Sequence, residues 1–278
     1  MTNRKLESKE IGLDLGLLIF KNFLDTDYLH YGLFTDGLKP KITNIPVAQE
    51  NYAQMLISMI PMNVKSILDV GCGSGRFAHT LIEKGYSVDC ISPESLLTDY
   101  AEELLKNKSK IVKCPFQNYE SKKRFDLVLF SESFQYIPIK FAVSNAIHHL
   151  HKNGYILISD FFKTDAPGKS PLGGGHRLKN WEGLYPEYPL ELKLSKDITN
   201  ETAFTIDVAN QLSQNLLHPI WKLILQSLNQ RYPRILKLLK WKFNSKLNKI
   251  EYKYFSGENN GDSFRKYKRY MVYLFQKV

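Results

Sequence analysis

A strand-length apolar run closed by three glycines in five positions, SILDVGCGSG over residues 66–75, constrains this chain more than any other stretch. A strand that ends this way turns sharply with no side chains at the bend. Its backbone then approaches a ligand closely, and the following helix presents its N-terminus. The run has company. Apolar runs of strand length occupy 64–70, 86–91, 110–114, 125–131 and 154–160, with helix-like segments between most of them. Strands spaced by helices imply crossover connections, hence a parallel sheet covered on both faces. A helix near 139–152 is expected to end at Asn153 and Gly154 in a left-handed cap. Two later strands are expected at 190–195 and 268–276, separated by a long, mostly helical insertion. The expected fold is α/β: a Rossmann-like, doubly wound, mostly parallel seven-stranded sheet, with an N-terminal helical segment and a helical lid insertion before the last strand.

At 278 residues and 43% hydrophobic content the chain is long enough to bury a sizeable core. No stretch approaches the roughly 18 apolar residues of a membrane span. The opening MTNRKLESKE lacks the basic-then-apolar layout of a signal peptide, so a cytoplasmic location is expected. Cys72, Cys90 and Cys114 never form a CxxC pair and each sits beside an expected strand, which suits small buried residues in a reducing compartment rather than disulfides or zinc. Charge is uneven. His218 to Val278 carries 14 Lys plus Arg against three acids, whereas the other 217 residues carry 24 against 25. The basic character is therefore a local surface, not that of a uniformly basic nucleic-acid binder.

The glycines at 71, 73 and 75 form GxGxG, with Arg76 where a dinucleotide fingerprint would place its last glycine, and with Asp69 two residues before the first. An acid there is unfavourable beside phosphates and favourable beside a cation. This combination resembles motif I of the class I S-adenosylmethionine-dependent methyltransferases. The resemblance implies a loop at Gly71, Gly73 and Gly75 that cradles the methionine end of the cofactor, with Asp69 near its ammonium group. It covers roughly residues 25 to 165. Tyr28-Leu29-His30-Tyr31-Gly32-Leu33-Phe34, then Ala48-Gln49-Glu50-Asn51, is similar to the N-terminal HYG segment of methyltransferases acting on sterols, tocopherols, phosphobases and benzylisoquinolines. That likeness puts Tyr31 close to the sulfonium, where a ring face attracts a cation, and makes Gln49 a further cofactor contact. Where most of the class has an acid for the ribose, this chain reads Cys90-Ile91-Ser92-Pro93-Glu94; Ser92 takes that role here, with Glu94 reaching from the following turn. Phe116 is expected at the adenine ring, and Ser131 and Glu132 at the edge that faces both cofactor and acceptor.

By the same likeness residues 1–60 form a helical cap over the cofactor, 61–200 the binding core, 201–262 a basic helical lid, and 263–278 the last strand. His176, in a glycine-rich loop leaving the fifth strand, is a candidate general base or acceptor-orienting group beside Glu132 and Tyr31. Gly168-Lys169-Ser170 lacks the earlier glycine and the following helix of a phosphate-binding loop. His148, His149 and His151 cannot converge on one ion from a single helix, so no metal is expected. In the insertion, apolar residues from Ile220 to Phe243 alternate with Lys and Arg, as in a lid on the sheet or a helix at an anionic membrane surface. The function expected is methyl transfer from S-adenosylmethionine to a small, lipophilic or amphiphilic acceptor, by a protein cytoplasmic or peripheral at the membrane. The alternatives are an RNA or protein methyltransferase using the basic C-terminal surface, or a non-catalytic membrane-associated scaffold. The lack of a separate nucleic-acid module argues against RNA.

Overall fold

A computed structural model describes residues 8–93 and 96–278, with side-chain environments from residue 14 onward. Seven strands form one sheet: β1 (Ser66–Val70), β2 (Ser87–Ser92), β3 (Lys110–Lys113), β4 (Phe125–Ser131), β5 (Leu150–Lys163), β6 (Leu190–Asp197) and β7 (Lys268–Lys277). They lie in the order 3-2-1-4-5-7-6, and only β7 runs antiparallel to its neighbours. The expected Rossmann-like, mostly parallel seven-stranded sheet is borne out. Alternation along each central strand feeds two layers. Ile67, Leu127 and Leu129 pack on one face with Tyr52 and Phe77, while Leu68, Val128 and Phe130 pack on the other with Phe134 and Trp181. Such strands, buried on both faces, read as continuous apolar runs, which is why they were legible in the sequence.

The helices are α1 (Ser8–Phe23), α2 (Ile45–Ser58), α3 (Arg76–Glu83), α4 (Leu96–Leu105), α5 (Ile139–His149), α6 (Leu178–Leu184), α7 (Thr199–Leu212), α8 (His218–Arg231), α9 (Pro233–Ile250) and α10 (Gly261–Tyr267). The helix expected to reach residue 152 stops at His149, because β5 has already begun at Leu150. Asn153 is left-handed, at φ 59°, yet it sits in an irregularity of the β4–β5 pairing instead of capping a helix. A short polar side chain tolerates φ > 0 in either setting, so the sequence marks the conformation but not its context.

For the insertion the sequence left two readings open, a lid on the sheet or a helix at a membrane surface. A lid packed on the sheet would bury its apolar stripe, but α8 and α9 expose theirs. The principal contacts of these two helices are with each other and with the π-helical turns 213–217 and 251–255 that lead into and out of them. They form a hairpin standing away from the sheet.

Gly75, the residue before α3, has φ 78°, and a Cβ there would lie 2.9 Å from Cβ of Ala101 on α4. The third glycine of the motif thus serves the packing of α3 against α4. Gly75→Ala is expected to destabilise the protein by about 1–3 kcal/mol, from left-handed strain and overpacking together. An unchanged urea midpoint would contradict this account.

Candidate functional site

The carboxyl ends of β1, β2 and β4 open into a cavity of about 510 Å³. Its size is that of a small-ligand pocket, and its place is where open α/β sheets bind ligands. Asp69, the fourth residue of β1, is 2% exposed on its wall. Burial lifts its carboxyl to about 7, and no neighbouring charge offsets that shift. Gly71 follows with φ 82°, and a Cβ there would stand 2.5 Å from Cβ of Ser133. Ser133 in turn donates its hydroxyl to the Val70 carbonyl, holding the turns after β1 and β4 together. Gly73, at φ 55°, completes a cradle of bare backbone.

Of the residues expected from the sequence, Asp69, Gly71, Gly73, Ser92, Phe116, Ser131 and Glu132 all line this cavity. Ser92 and Phe116 reach it from the ends of β2 and β3, beside Ile91, Pro93 and Leu97, in an apolar slot. Glu94 lies outside the described residues. Four expectations need correction. Gly75 packs helices, as above, and does not line the cavity. Tyr31 turns away from the wall: its ring sits 5.9, 5.7 and 5.7 Å from those of Phe161, Phe264 and Tyr270. The three residues before it, Tyr28, Leu29 and His30, line the cavity instead. Gln49 braces this segment from behind. Its Nε2 donates to the carbonyls of Tyr28 (3.0 Å) and His30 (2.9 Å), and its Oε1 accepts from Thr26 (3.0 Å). Further along, Asp27 ties the same segment to the glycine turn, accepting at its carbonyl from Ser74 Oγ (2.5 Å) and at its carboxylate from Tyr100 (3.0 Å).

The fourth correction is His176. Its Nε2 lies 3.0 Å from the Phe134 carbonyl and 2.9 Å from that of Ile137, so this nitrogen carries the proton and donates it. His176 therefore holds the turn that brings Tyr136 and Ile137 to the cavity wall, and that nitrogen is not available as a base. Its glycine-rich loop is clamped. The buried Lys268 donates to the carbonyls of Gly173 (2.9 Å) and Gly174 (2.6 Å), while Gln135 Oε1 accepts from Gly175 N (3.1 Å). Of the histidines at the end of α5, His149 donates from Nδ1 to the Asn145 carbonyl at 2.9 Å; no cluster of three or more metal-ligating side chains occurs among the described residues.

Glu132 is the chemically distinctive group. It follows the last residue of β4 with φ 58°, a left-handed conformation that is uncommon for a non-glycine residue and is held here by Glu132 N donating to Ser159 O (2.8 Å). Two donors converge on one carboxylate oxygen, Oε1: Tyr31 N at 2.7 Å and the Tyr270 hydroxyl at 2.6 Å. Behind Tyr270 the chain of hydroxyls continues to Tyr52 (2.9 Å), then Ser159 (2.7 Å) and Ser131 (3.3 Å). Burial pushes the Glu132 carboxyl up to about 8; the Tyr270 and Tyr31 donors oppose the shift, and Asp160, the matching residue of β5, adds to it. Asp160 is itself raised by burial to about 7, against donors from Gln135 and Phe161. The wall thus carries two buried carboxyls with different surroundings: Asp69 among bare backbone and Glu132 at the end of a hydroxyl chain. Tyr52 and Tyr270 escaped sequence reading because each looks like an ordinary core aromatic.

Residues 48–192 match the family described as Methyltransferase domain, a span of just over half the chain. The chain belongs to this methyltransferase family. The ubiquinone biosynthesis O-methyltransferase of Rickettsia typhi is 30% identical over 170 residues, covering 56% of this chain and 67% of that protein. Its counterpart from Pelagibacter ubique is 26% identical over 170 residues, covering 58% and 70%. Among solved structures, the [4+2]-cyclase SpnF superposes with TM-score 0.67 at 14% identity, covering 97% of this chain and 94% of that one. Geranyl diphosphate C-methyltransferase from Streptomyces coelicolor gives 0.64 at 12%, covering 96% and 98%. At such identities the structural likeness establishes the fold alone. The methyltransferase is of class I and depends on S-adenosylmethionine. Its cavity fits that group: an unpaired buried carboxylate to meet an ammonium, side-chain-free backbone at Gly71 and Gly73, and an apolar slot for a flat ring.

Proposed function

We propose that the enzyme methylates a hydroxyl of a small amphiphilic acceptor, and that Glu132 takes the hydroxyl proton. Asp69 binds the ammonium of the cofactor, Gly71 and Gly73 admit its amino-acid end, Ser92 bonds the ribose, Phe116 packs on the adenine, and Ser131 lies beside it at the β4 edge. S-adenosylmethionine supplies an electrophilic methyl group on a sulfonium. The chain's own task is to hold the acceptor oxygen in line with that methyl and to remove the proton as the new C–O bond forms. One observation carries the reading: a buried carboxyl with its pKa near 8 on the cavity wall, with both of its donors on one oxygen. A base poised close to neutrality suits a phenolic hydroxyl.

Two features support an amphiphilic acceptor. Tyr136 and Ile137 present apolar surface at the cavity beside the Glu132 carboxyl. The similar proteins bear the name ubiquinone biosynthesis O-methyltransferase. An acceptor with a long apolar tail partitions into bilayers, so this reading includes peripheral contact with an anionic membrane. An alkylated catechol assayed beside unsubstituted catechol tests it. Methyl ether formation is expected with both, with KM at least about 10-fold lower for the alkylated compound, since a few buried methylenes contribute that much. Transfer to carbon or nitrogen acceptors only, or equal KM for the two catechols, would overturn the proposal.

A further inference from the structure

Of the nine Lys and Arg residues between His218 and Phe255, every one lies on or next to the α8–α9 hairpin, and the same span holds one acid, Glu251. The hairpin also exposes its apolar side chains. On α8, Ile220, Ile224 and Leu228 recur every four residues and all are exposed; on α9, Ile235, Leu239 and Phe243 repeat that spacing, and Trp241 is 79% exposed. Side chains four apart lie on one helix face, so each helix carries a continuous solvent-facing apolar row. By helical periodicity Lys240 flanks the α9 row on one side, Lys242 and Lys249 flank it on the other, and Lys246 closes it one turn after Phe243. No described helix is long and apolar enough to cross a membrane. This combination is neither a core helix nor a span.

We infer that the α8–α9 hairpin docks the enzyme on an anionic lipid bilayer, its apolar rows entering the headgroup boundary and its lysines pairing with lipid phosphates. Charge complementarity selects this occupant. A second copy of the chain would set one strongly cationic hairpin against another. RNA would satisfy the lysines but leave the aliphatic rows in water. An anionic bilayer takes both, as interfacial amphipathic helices with Lys and Arg beside Trp, Phe and Leu do. Projection from the sheet suits the role, because a hairpin lying on the domain would hide the rows. The π-helical turns at 213–217 and 251–255 mark where it departs from the α7–α10 body. The inference rests on the proposed function only for what docking delivers, an amphiphilic acceptor, and not for the docking itself.

The test uses the full chain in flotation with vesicles of phosphatidylcholine alone and of phosphatidylcholine mixed with phosphatidylglycerol. Binding is expected to the mixed vesicles only, and to fall as salt rises. Replacing Lys237, Lys240, Lys242 and Lys246 by Gln should weaken it by about 100-fold or more, each cation near the surface adding to affinity. Ile235, Leu239 and Phe243, replaced together by Ser with every lysine kept, should weaken it by about as much. S-adenosylhomocysteine affinity of each variant, measured by calorimetry, should match wild type and so show an intact fold. Absence of flotation overturns the inference, as does binding lost with the lysines but indifferent to the apolar triple variant. Tight binding of a poly-uridine probe with that same pattern would point to nucleic acid instead. Flotation of an enzyme that does not favour the alkylated catechol would refute the proposed acceptor while leaving the dock in place.

Discussion

Asp69→Asn is expected to bind S-adenosylhomocysteine roughly 100-fold more weakly than wild type, the order of a charge-assisted hydrogen bond removed from a dry site. The same variant is expected to be the more stable protein when empty. In the free enzyme burial raises the Asp69 carboxyl from 3.8 to about 7 with nothing to offset it. An acid whose folded pKa is raised favours the native state below its unfolded pKa and loses that contribution as pH rises through the folded value. Wild type therefore gives up stability between about pH 4 and 7, whereas the isosteric amide carries no such cost. Urea midpoints of the two proteins should coincide near pH 4 and diverge in favour of the variant by pH 7.5. Cofactor affinity should run the other way. An ammonium binds the carboxylate form, so wild-type affinity should be flat above about pH 7 and drop by up to tenfold per unit below it, and the asparagine variant should lose the part of this slope that Asp69 supplies. Calorimetric titration at several pH values reads both effects. Equal affinity of the two proteins at pH 7.5 would remove Asp69 from the binding site.

What the sequence revealed and what it hid divide along a physical line. Strand runs, the β1 turn and Asp69 are local features: the residues that matter sit within one strand–turn–helix unit, so spacing alone places them. Gly75 belongs to the same motif, yet its reason lies with Ala101, on a different helix. Tyr31 and His30 show the finer limit. Tyr28, Leu29 and His30 all line the cavity, and only the packing of Phe161, Phe264 and Tyr270 takes the next ring, that of Tyr31, behind the segment. The hairpin illustrates a third case. Its amphipathic pattern is the same whether the apolar stripe meets the sheet or the solvent, so periodicity could not say which.

Long-range partnership hides most in the acceptor half of the site. Glu132 was visible as an acid at the end of a strand, but neither its burial nor its two donors could be read there: Tyr270 lies 138 residues later and Tyr31 101 residues earlier. His176 misled for a related reason. A histidine in a glycine-rich loop at the right edge of the sheet suggests chemistry, whereas two carbonyls from the turn after β4 engage its Nε2. Any residue type rich in hydrogen-bonding options reads ambiguously until its partners are known.

Glu132→Gln separates the catalytic reading from a structural one. The amide is isosteric, and its oxygen still accepts from Tyr31 N and Tyr270, so the segment over the cavity stays in place. What it loses is the ability to take a proton. With alkylated catechol as acceptor and cofactor saturating, kcat is expected to fall by about 100- to 10,000-fold, the span typical of a lost general base, while the affinity for S-adenosylhomocysteine changes little. The pH profile carries the second half of the argument. In wild type the carboxyl, raised to about 8 by burial, is mostly protonated at neutral pH and idle as a base. The rate should therefore climb about tenfold per pH unit below that value and level off above it. In Glu132→Gln that limb should vanish, leaving only the slower rise from ionisation of the acceptor hydroxyl itself. A variant that keeps its rate and its acid limb would show that the carboxyl merely anchors Tyr31 and Tyr270, and would move the search for a base elsewhere on the wall. A variant that loses cofactor affinity along with rate would assign Glu132 to closure of the N-terminal segment.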